Sequence, residues 1–236
     1  MGDNRVEMAY ERCTPEELLG PLNEVEQKNA PAELFVAGDK GLLANGARVA
    51  VVGSRTATPE GILRTQKLVR LLVDRGIVVV SGLAEGVDTA AHEQALAAGG
   101  RTIAVLGTPL DRCYPVKNRA LLASIASEHL AVSQFATGSP GGRHCFPMRN
   151  RTMALLSDAT VIIEAGDGSG TLHQGWEALR LGRPLFLVES LTSNSELSWP
   201  SEMVRFGAEV LSDSTIELFF ELLPEGGRDE RAELAL

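Results

Sequence analysis

Six short runs, almost wholly apolar, recur through the middle of this chain: Arg48–Val52, Ile77–Ser81, Thr102–Leu106, Ala131–Gln134, Thr160–Glu164 and Pro184–Val188. A segment of helical length separates each run from the next: Thr58–Asp74, Val87–Ala98, Lys117–Ser127, Met148–Ser157 and Thr171–Leu181. A strand that carries no polar alternation must be covered on both faces, which is the condition of a parallel sheet. Parallel neighbours need a crossover, and strand–helix–strand crossovers are right-handed. The pattern therefore predicts an α/β fold, a doubly wound, mostly parallel sheet with helices on both faces. At 44% hydrophobic residues the chain can supply the core such a sheet needs.

Around this core, residues 1–47 read as a short helical and loop lead-in containing Gly38, Gly41 and Gly46. Residues 48–223 read as the α/β domain, closing with a helix, a short strand at Glu209–Leu211 and a final helix. Residues 224–236, with Pro224, two glycines and alternating charge, read as a disordered tail.

In an open α/β sheet, ligands bind beyond the carboxyl ends of the strands. The residues just past those ends are Gly53-Ser54-Arg55, Gly82-Leu83-Ala84-Glu85-Gly86, Gly107-Thr108-Pro109 and the stretch Ala165 to Gly170. These loops are rich in Gly, Ser and Thr. A glycine loop that opens a helix turns backbone N–H groups toward an anion. Gly53-Ser54-Arg55 precedes a helix whose start is marked by Thr58 and Pro59, and Arg55 adds a fork suited to phosphate. Gly168-Ser169-Gly170-Thr171 is the second such loop. Gly82 belongs to the same edge. The spacing is not GxGxxG, so a dinucleotide is not favoured.

The net charge is −9, and the acid sits at the ends. Residues 1–48 carry 5 basic and 9 acidic groups and residues 185–236 carry 3 and 11, which leaves 14 basic and 11 acidic groups in between. From Arg101 to Arg151 seven basic residues face only Asp111 and Glu128. Arg143, Arg149 and Arg151 cluster around Asn150, and Lys117, Asn118 and Arg119 open the third long helical segment. Both clusters are candidates for phosphate contacts. Phe146 and Tyr114 beside them are candidate base-stacking residues, though a core role fits Phe146 at least as well.

Other chemistries have little support. Cys13, Cys113 and Cys145 are scattered and form no CxxC pair, so they read as free thiols in a reducing compartment. No metal site, cofactor or nucleophile–base–orienter set is expected. Asp88 and His92, and likewise His173 and Glu177, stand four apart on helical segments. Each pair reads first as structural. Trp176 and Trp199 read as packing residues. No apolar run approaches the roughly 18 residues that span a bilayer, and no secretory signal opens the chain, so the expected location is the cytoplasm with no membrane contact.

The longer motifs resemble a known family. Val49–Arg55 (VAVVGSR), Ser81–Leu96 (SGLAEGVDTAAHEQAL), Thr102–Gly107 (TIAVLG), Tyr114–Asn118 (YPVKN), Phe146–Arg151 (FPMRNR), Ile162–Ala165 (IIEA), Ser169–Leu172 (SGTL) and Gly182–Val188 (GRPLFLV) follow the order seen in DprA/Smf, the DNA-processing protein A family. The lead-in Pro31–Leu43 is similar as well. The resemblance implies an extended Rossmann-like core, without the C-terminal winged-helix domain of many members. It implies single-stranded DNA as ligand, a RecA-type recombinase as partner in DNA uptake and recombination, and a homodimer. It assigns DNA contacts to Arg55, Lys117, Arg119, Arg149 and Arg151, and no catalytic residue. The domain also resembles the LOG-type phosphoribohydrolases. Those place a glutamate soon after the loop threonine, whereas here Leu172-His173-Gln174 follow Thr171 and the first glutamate is Glu177. A sensor that binds a mononucleotide in the same loops is the remaining alternative.

Overall fold

A computed structural model describes residues 5–224. In chain order its elements are β1 (Glu11–Cys13), α1 (Pro15–Leu19), α2 (Glu24–Asn29), β2 (Leu34–Gly38), α3 (Gly41–Ala44), β3 (Arg48–Gly53), α4 (Pro59–Asp74), β4 (Val78–Ser81), α5 (Val87–Ala97) and β5 (Thr102–Leu106). Then come a 3₁₀ turn (Val116–Asn118), α6 (Arg119–Glu128), β6 (Leu130–Ser133), α7 (Cys145–Leu156), β7 (Ala159–Glu164), α8 (Thr171–Arg180) and β8 (Leu185–Val188). The fold closes with α9 (Glu189–Thr192), α10 (Trp199–Arg205), β9 (Glu209–Leu211) and α11 (Ile216–Glu221).

All nine strands join one sheet in the order β1-β2-β6-β5-β4-β3-β7-β8-β9. The seven from β6 to β9 run parallel. β2 pairs antiparallel with β6, and β1 with β2. Every residue of β3, β4, β5, β6 and β8 is buried, as strands covered on both faces must be. The expected α/β, doubly wound sheet is what the chain adopts.

The lead-in differs from its expectation. Short helices are present, but residues 1–47 also contribute two strands to the sheet. β1 is three residues with two exposed, too short to show any period. β2 has Leu34 to Ala37 fully inside, and its pairing with β6 is settled only by the tertiary fold. The tail expected to be disordered, apart from Pro224, lies outside the described residues.

Chain order reverses between β3 and β7. From β3 the chain builds outward through β4, β5 and β6, then returns to place β7 on the other side of β3. Such a switch point leaves a crevice at the carboxyl ends of its two strands. The opposite ends of the same strands are locked. Arg48 is 1% exposed; its backbone N–H, Nε and Nη2 donate to the Asp158 carboxylate at 2.9–3.2 Å, and Nη1 donates to Leu43 O. Among the described residues no helix is long and apolar enough to cross a membrane.

Candidate functional site

A cavity of about 760 Å³ opens at the switch point. Its walls are the loops after β3 and β7 and the first turns of α7 and α8. Seven predicted residues from two distant stretches, Gly53, Ser54, Arg55, Gly168, Ser169, Gly170 and Thr171, meet here. Short bonds weld the two loops: Ser54 N–H donates to Glu164 O at 2.7 Å, and the Thr171 hydroxyl donates to Gly53 O at 3.0 Å. A side chain at Gly53 would put its Cβ 2.5 Å from Val87 Cγ2, so glycine lets α5 pack against the end of β3.

The two expected anion-binding helix starts turn out to differ. At α4 the N-terminus is already served by the protein's own carboxylate. Glu164 accepts from Thr58 N at 3.1 and 3.2 Å and from the Thr58 hydroxyl at 2.6 Å, while Thr58 Oγ1 caps Gly61 N. A phosphate there would meet like charge, so the reading of that start as an anion cradle is corrected. At α8 the cap residue Gly170 brings no side chain, and Gly168 and Gly170 are exposed to the cavity. Thr171 N donates to Ser169 Oγ at 3.2 Å, and among the described residues no carboxylate stands at this second start.

Three predicted contacts are also reassigned. Arg149 is 5% exposed: Nη1 donates to Gly82 O at 2.5 Å and Val105 O at 3.0 Å, and Nε to Asn150 Oδ1 at 2.9 Å. Gly82 is glycine for this reason, since a Cβ there would lie 1.6 Å from Arg149 Nη1. Burial lowers the Arg149 pKa, and Asp88, itself buried with a raised pKa, opposes that shift. Asn118 is buried, donating to Leu83 O at 2.9 Å and Thr89 Oγ1 at 2.8 Å. Asn150 donates to Gly170 O at 3.1 Å. These three side chains shape the site's frame. For Arg149 and Asn150 the reason is where α7 begins: its first residue is Cys145, two before Pro147, so positions 149 and 150 fall in the second turn and face the sheet.

The remaining cations differ in freedom. Arg55 and Arg143 are exposed and line the cavity. Arg55 lies over Phe146, 5.3 Å from the ring centroid, and Phe146 meets Tyr114 at 5.7 Å. Tyr114 is 54% exposed and Phe146 is half-buried beneath Arg55. Lys117 is exposed and pairs with Glu85 at 3.1 Å. Arg119 is exposed at the start of α6. Arg151 lies outside the cavity, 3.4 Å from Glu177, which also meets Arg180 at 3.7 Å.

Of the spaced pairs, Asp88 and His92 do not bond each other. Asp88 accepts from Ala84 N at 3.3 Å, and His92 Nδ1 lies 2.7 Å from Thr102 Oγ1. His173 lines the cavity and Glu177 serves the arginines. Reasoning from sequence missed Val52, Met153 and Gln174 in the cavity floor. Their only signal was position, at a strand end and on the inner faces of α7 and α8. Among the described residues no group of three or more His, Cys, Asp or Glu side chains could hold a metal.

Known proteins resemble this chain. The DNA processing protein DprA of Bacillus subtilis is 33% identical over 195 residues, covering 83% of this chain and 65% of that protein. Protein Smf of Synechocystis is 41% identical over 163 residues, 69% of this chain and 41% of that one. The chain thus spans about two thirds or less of the length of both. A solved structure of DNA processing protein A from Helicobacter pylori, described for its single-stranded DNA binding mode, superposes with a TM-score of 0.79 at 28% identity. The match covers 93% of this chain and all of that one. The family model for DNA recombination-mediator protein A matches residues 11–222, which takes in every strand of the sheet and both loops of the cavity. Sheet, switch-point cavity and motifs agree on one assignment, and the chain belongs to the DNA recombination-mediator protein A family.

Proposed function

We propose that this protein holds single-stranded DNA across the switch-point cavity and acts as a mediator of recombination, not as a catalyst. The observation that carries the reading is the mouth of the cavity. Two exposed arginines, Arg55 and Arg143, stand beside the exposed Tyr114, the half-buried Phe146 and the glycine loop before α8. Cations and backbone N–H groups suit phosphates, and exposed ring faces suit unstacked bases. Duplex DNA offers no ring faces to stack on, so the site favours a single strand. Lys117 and Arg119 extend the cationic surface, while Arg149, Asn118 and Asn150 hold the frame beneath it. No cofactor is invoked.

Family membership supports the wider role. The protein protects single strands and helps to load a RecA-type recombinase on them, works in the cytoplasm, and does so as a homodimer. Fluorescence anisotropy with labelled single-stranded oligonucleotide, the matching duplex and AMP tests the central step. Salt-sensitive binding that prefers the single strand and weakens in Arg55→Ala is expected. Binding or cleavage of AMP without oligonucleotide binding would overturn the reading in favour of a nucleotide hydrolase or sensor.

A further inference from the structure

We infer that Glu164 is a positioning residue for Arg55: it clamps the loop that carries the arginine at both ends, and so fixes its direction before a strand arrives. The inference rests on the reading that Arg55 contacts single-stranded DNA. Ser54 to Thr58 join β3 to α4, and within this stretch Arg55 and Thr56 stand exposed. Both ends are bonded to Glu164. Its backbone O accepts from Ser54 N at 2.7 Å. Its carboxylate accepts from Thr58 N at 3.1 and 3.2 Å and from the Thr58 hydroxyl at 2.6 Å. Two glycines make room for this clamp. A Cβ at Gly61 would lie 2.3 Å from Glu164 Oε2, where the carboxylate sits. At Gly86, with φ +75°, a Cβ would lie 2.2 Å from Ser54 O and 2.8 Å from Arg55 O, so glycine lets the loop before α5 back the Arg55 loop. There Val87 N donates to Ser54 O at 3.2 Å.

The Arg55 side chain has little else to direct it. Its guanidinium lies 5.3 Å from the Phe146 ring centroid, and among the described residues it meets no carboxylate. Its direction therefore follows from its backbone. A cation on a loose loop gives up conformational freedom when it grips a phosphate, whereas one on an ordered loop has little left to lose. Charge alone does not account for Glu164. Among the described residues it forms no ion pair, and a carboxylate next to a phosphate site repels the ligand. Its oxygens are occupied instead by the Thr58 N–H and hydroxyl, so it anchors the loop and leaves the arginine charge unneutralised.

The test is anisotropy with a labelled all-dT oligonucleotide, on variants shown to be folded by circular dichroism. Glu164→Ala is expected to weaken binding about 5- to 30-fold, the factor that ordering one residue's backbone is worth, and by no more than Arg55→Ala does. In the Arg55→Ala background the same change is expected to alter affinity less than about twofold, because the arginine it positions is gone. Glu164→Gln keeps an acceptor for Thr58 and is expected to bind within about threefold of the native protein. Should Glu164→Ala fail to fold, Thr58→Val, which removes the 2.6 Å bond, carries the same expectations with a loss of about threefold. Native or tighter binding by Glu164→Ala, a loss of equal size with and without Arg55, or a Glu164→Gln as weak as Glu164→Ala overturns the inference. If the native protein binds no oligonucleotide, the single-stranded DNA reading itself fails and this inference with it.

Discussion

Gly82→Ala adds one methyl group, yet it should cost as much as a buried ion pair. The new Cβ would sit 1.6 Å from Arg149 Nη1, 2.4 Å from Cζ and 2.8 Å from Nη2, so the guanidinium cannot stay. A free side-chain end would swing away cheaply. This one is buried and bonded to Gly82 O and Val105 O, and its charge acts on buried Asp88. Two charge-assisted hydrogen bonds at about 1.5–3 kcal/mol each put the expected loss near 4 kcal/mol. In a chain of this size that lowers the melting temperature by roughly 10 °C. Urea unfolding followed by circular dichroism measures it, with an unchanged slope showing that stability alone has moved. Arg149→Ala provides the cross-check. With the guanidinium gone the added methyl meets nothing, so the double variant should be about as stable as Arg149→Ala alone. A Gly82→Ala loss below about 1 kcal/mol would mean that the guanidinium swings into the cavity and regains water. Costs that add within about 0.5 kcal/mol would mean that the methyl acts on something other than Arg149. Either result refutes the argument.

Four further outcomes follow from the same geometry. Three exposed cations near the site, Arg55, Arg143 and Lys117, should give a log–log salt slope of about −2 on single strands, since each phosphate contact contributes about −0.7; a slope near zero in a salt titration would remove the electrostatic account. Burial holds His92 down at about 3, so acid protonates the unfolded chain first, and stability present above pH 6.5 should fall by about 1.4 kcal/mol by pH 5.5. Buried Asp88, its pKa raised, offsets part of that loss at lower pH, and urea midpoints that do not move between pH 7.5 and 5.5 would contradict the assignment. Glu164→Ala strips the acceptor from Thr58 at the start of α4 and should cost about 1–2 kcal/mol in thermal unfolding, with no loss expected if the cap is water-served. All three cysteines are buried and burial pushes the Cys113 thiol up to about 11, so a thiol reagent should label the protein only on unfolding; prompt labelling of the folded protein would show an open site.

The sheet was legible because its signal is dense. Seven parallel strands bury nearly every side chain, and a run such as Val49 to Val52 can sit nowhere else. The antiparallel edge was less so. Glu11–Cys13 has no pattern to read, and its pairing depends on a neighbour, Leu34–Gly38, met only after two short helices. At the site the loops were legible, because glycine and hydroxyl residues after a strand have few other uses. The roles of individual polar residues were not. Arg149 and Arg151 are two apart in one motif, and composition treats them alike. They are separated by roughly 200° around α7, which sends one to the carbonyls of β5 and the Gly82 loop and the other toward Glu177. Which goes where depends on where the helix begins. That start follows a stretch with Gly138, Gly141 and Gly142 and carries no capping side chain, since His144 makes no cap bond. The same ambiguity hid Gln174. A glutamine one turn into a helix reads as solvent-facing, and only the packing of α8 on β7 turns it inward, where its amide meets Thr160. Strand ends can therefore be located from pattern, whereas the division of labour between a frame residue and a contact residue is decided by helix phase. Helix phase is written in the start signals that this motif lacks.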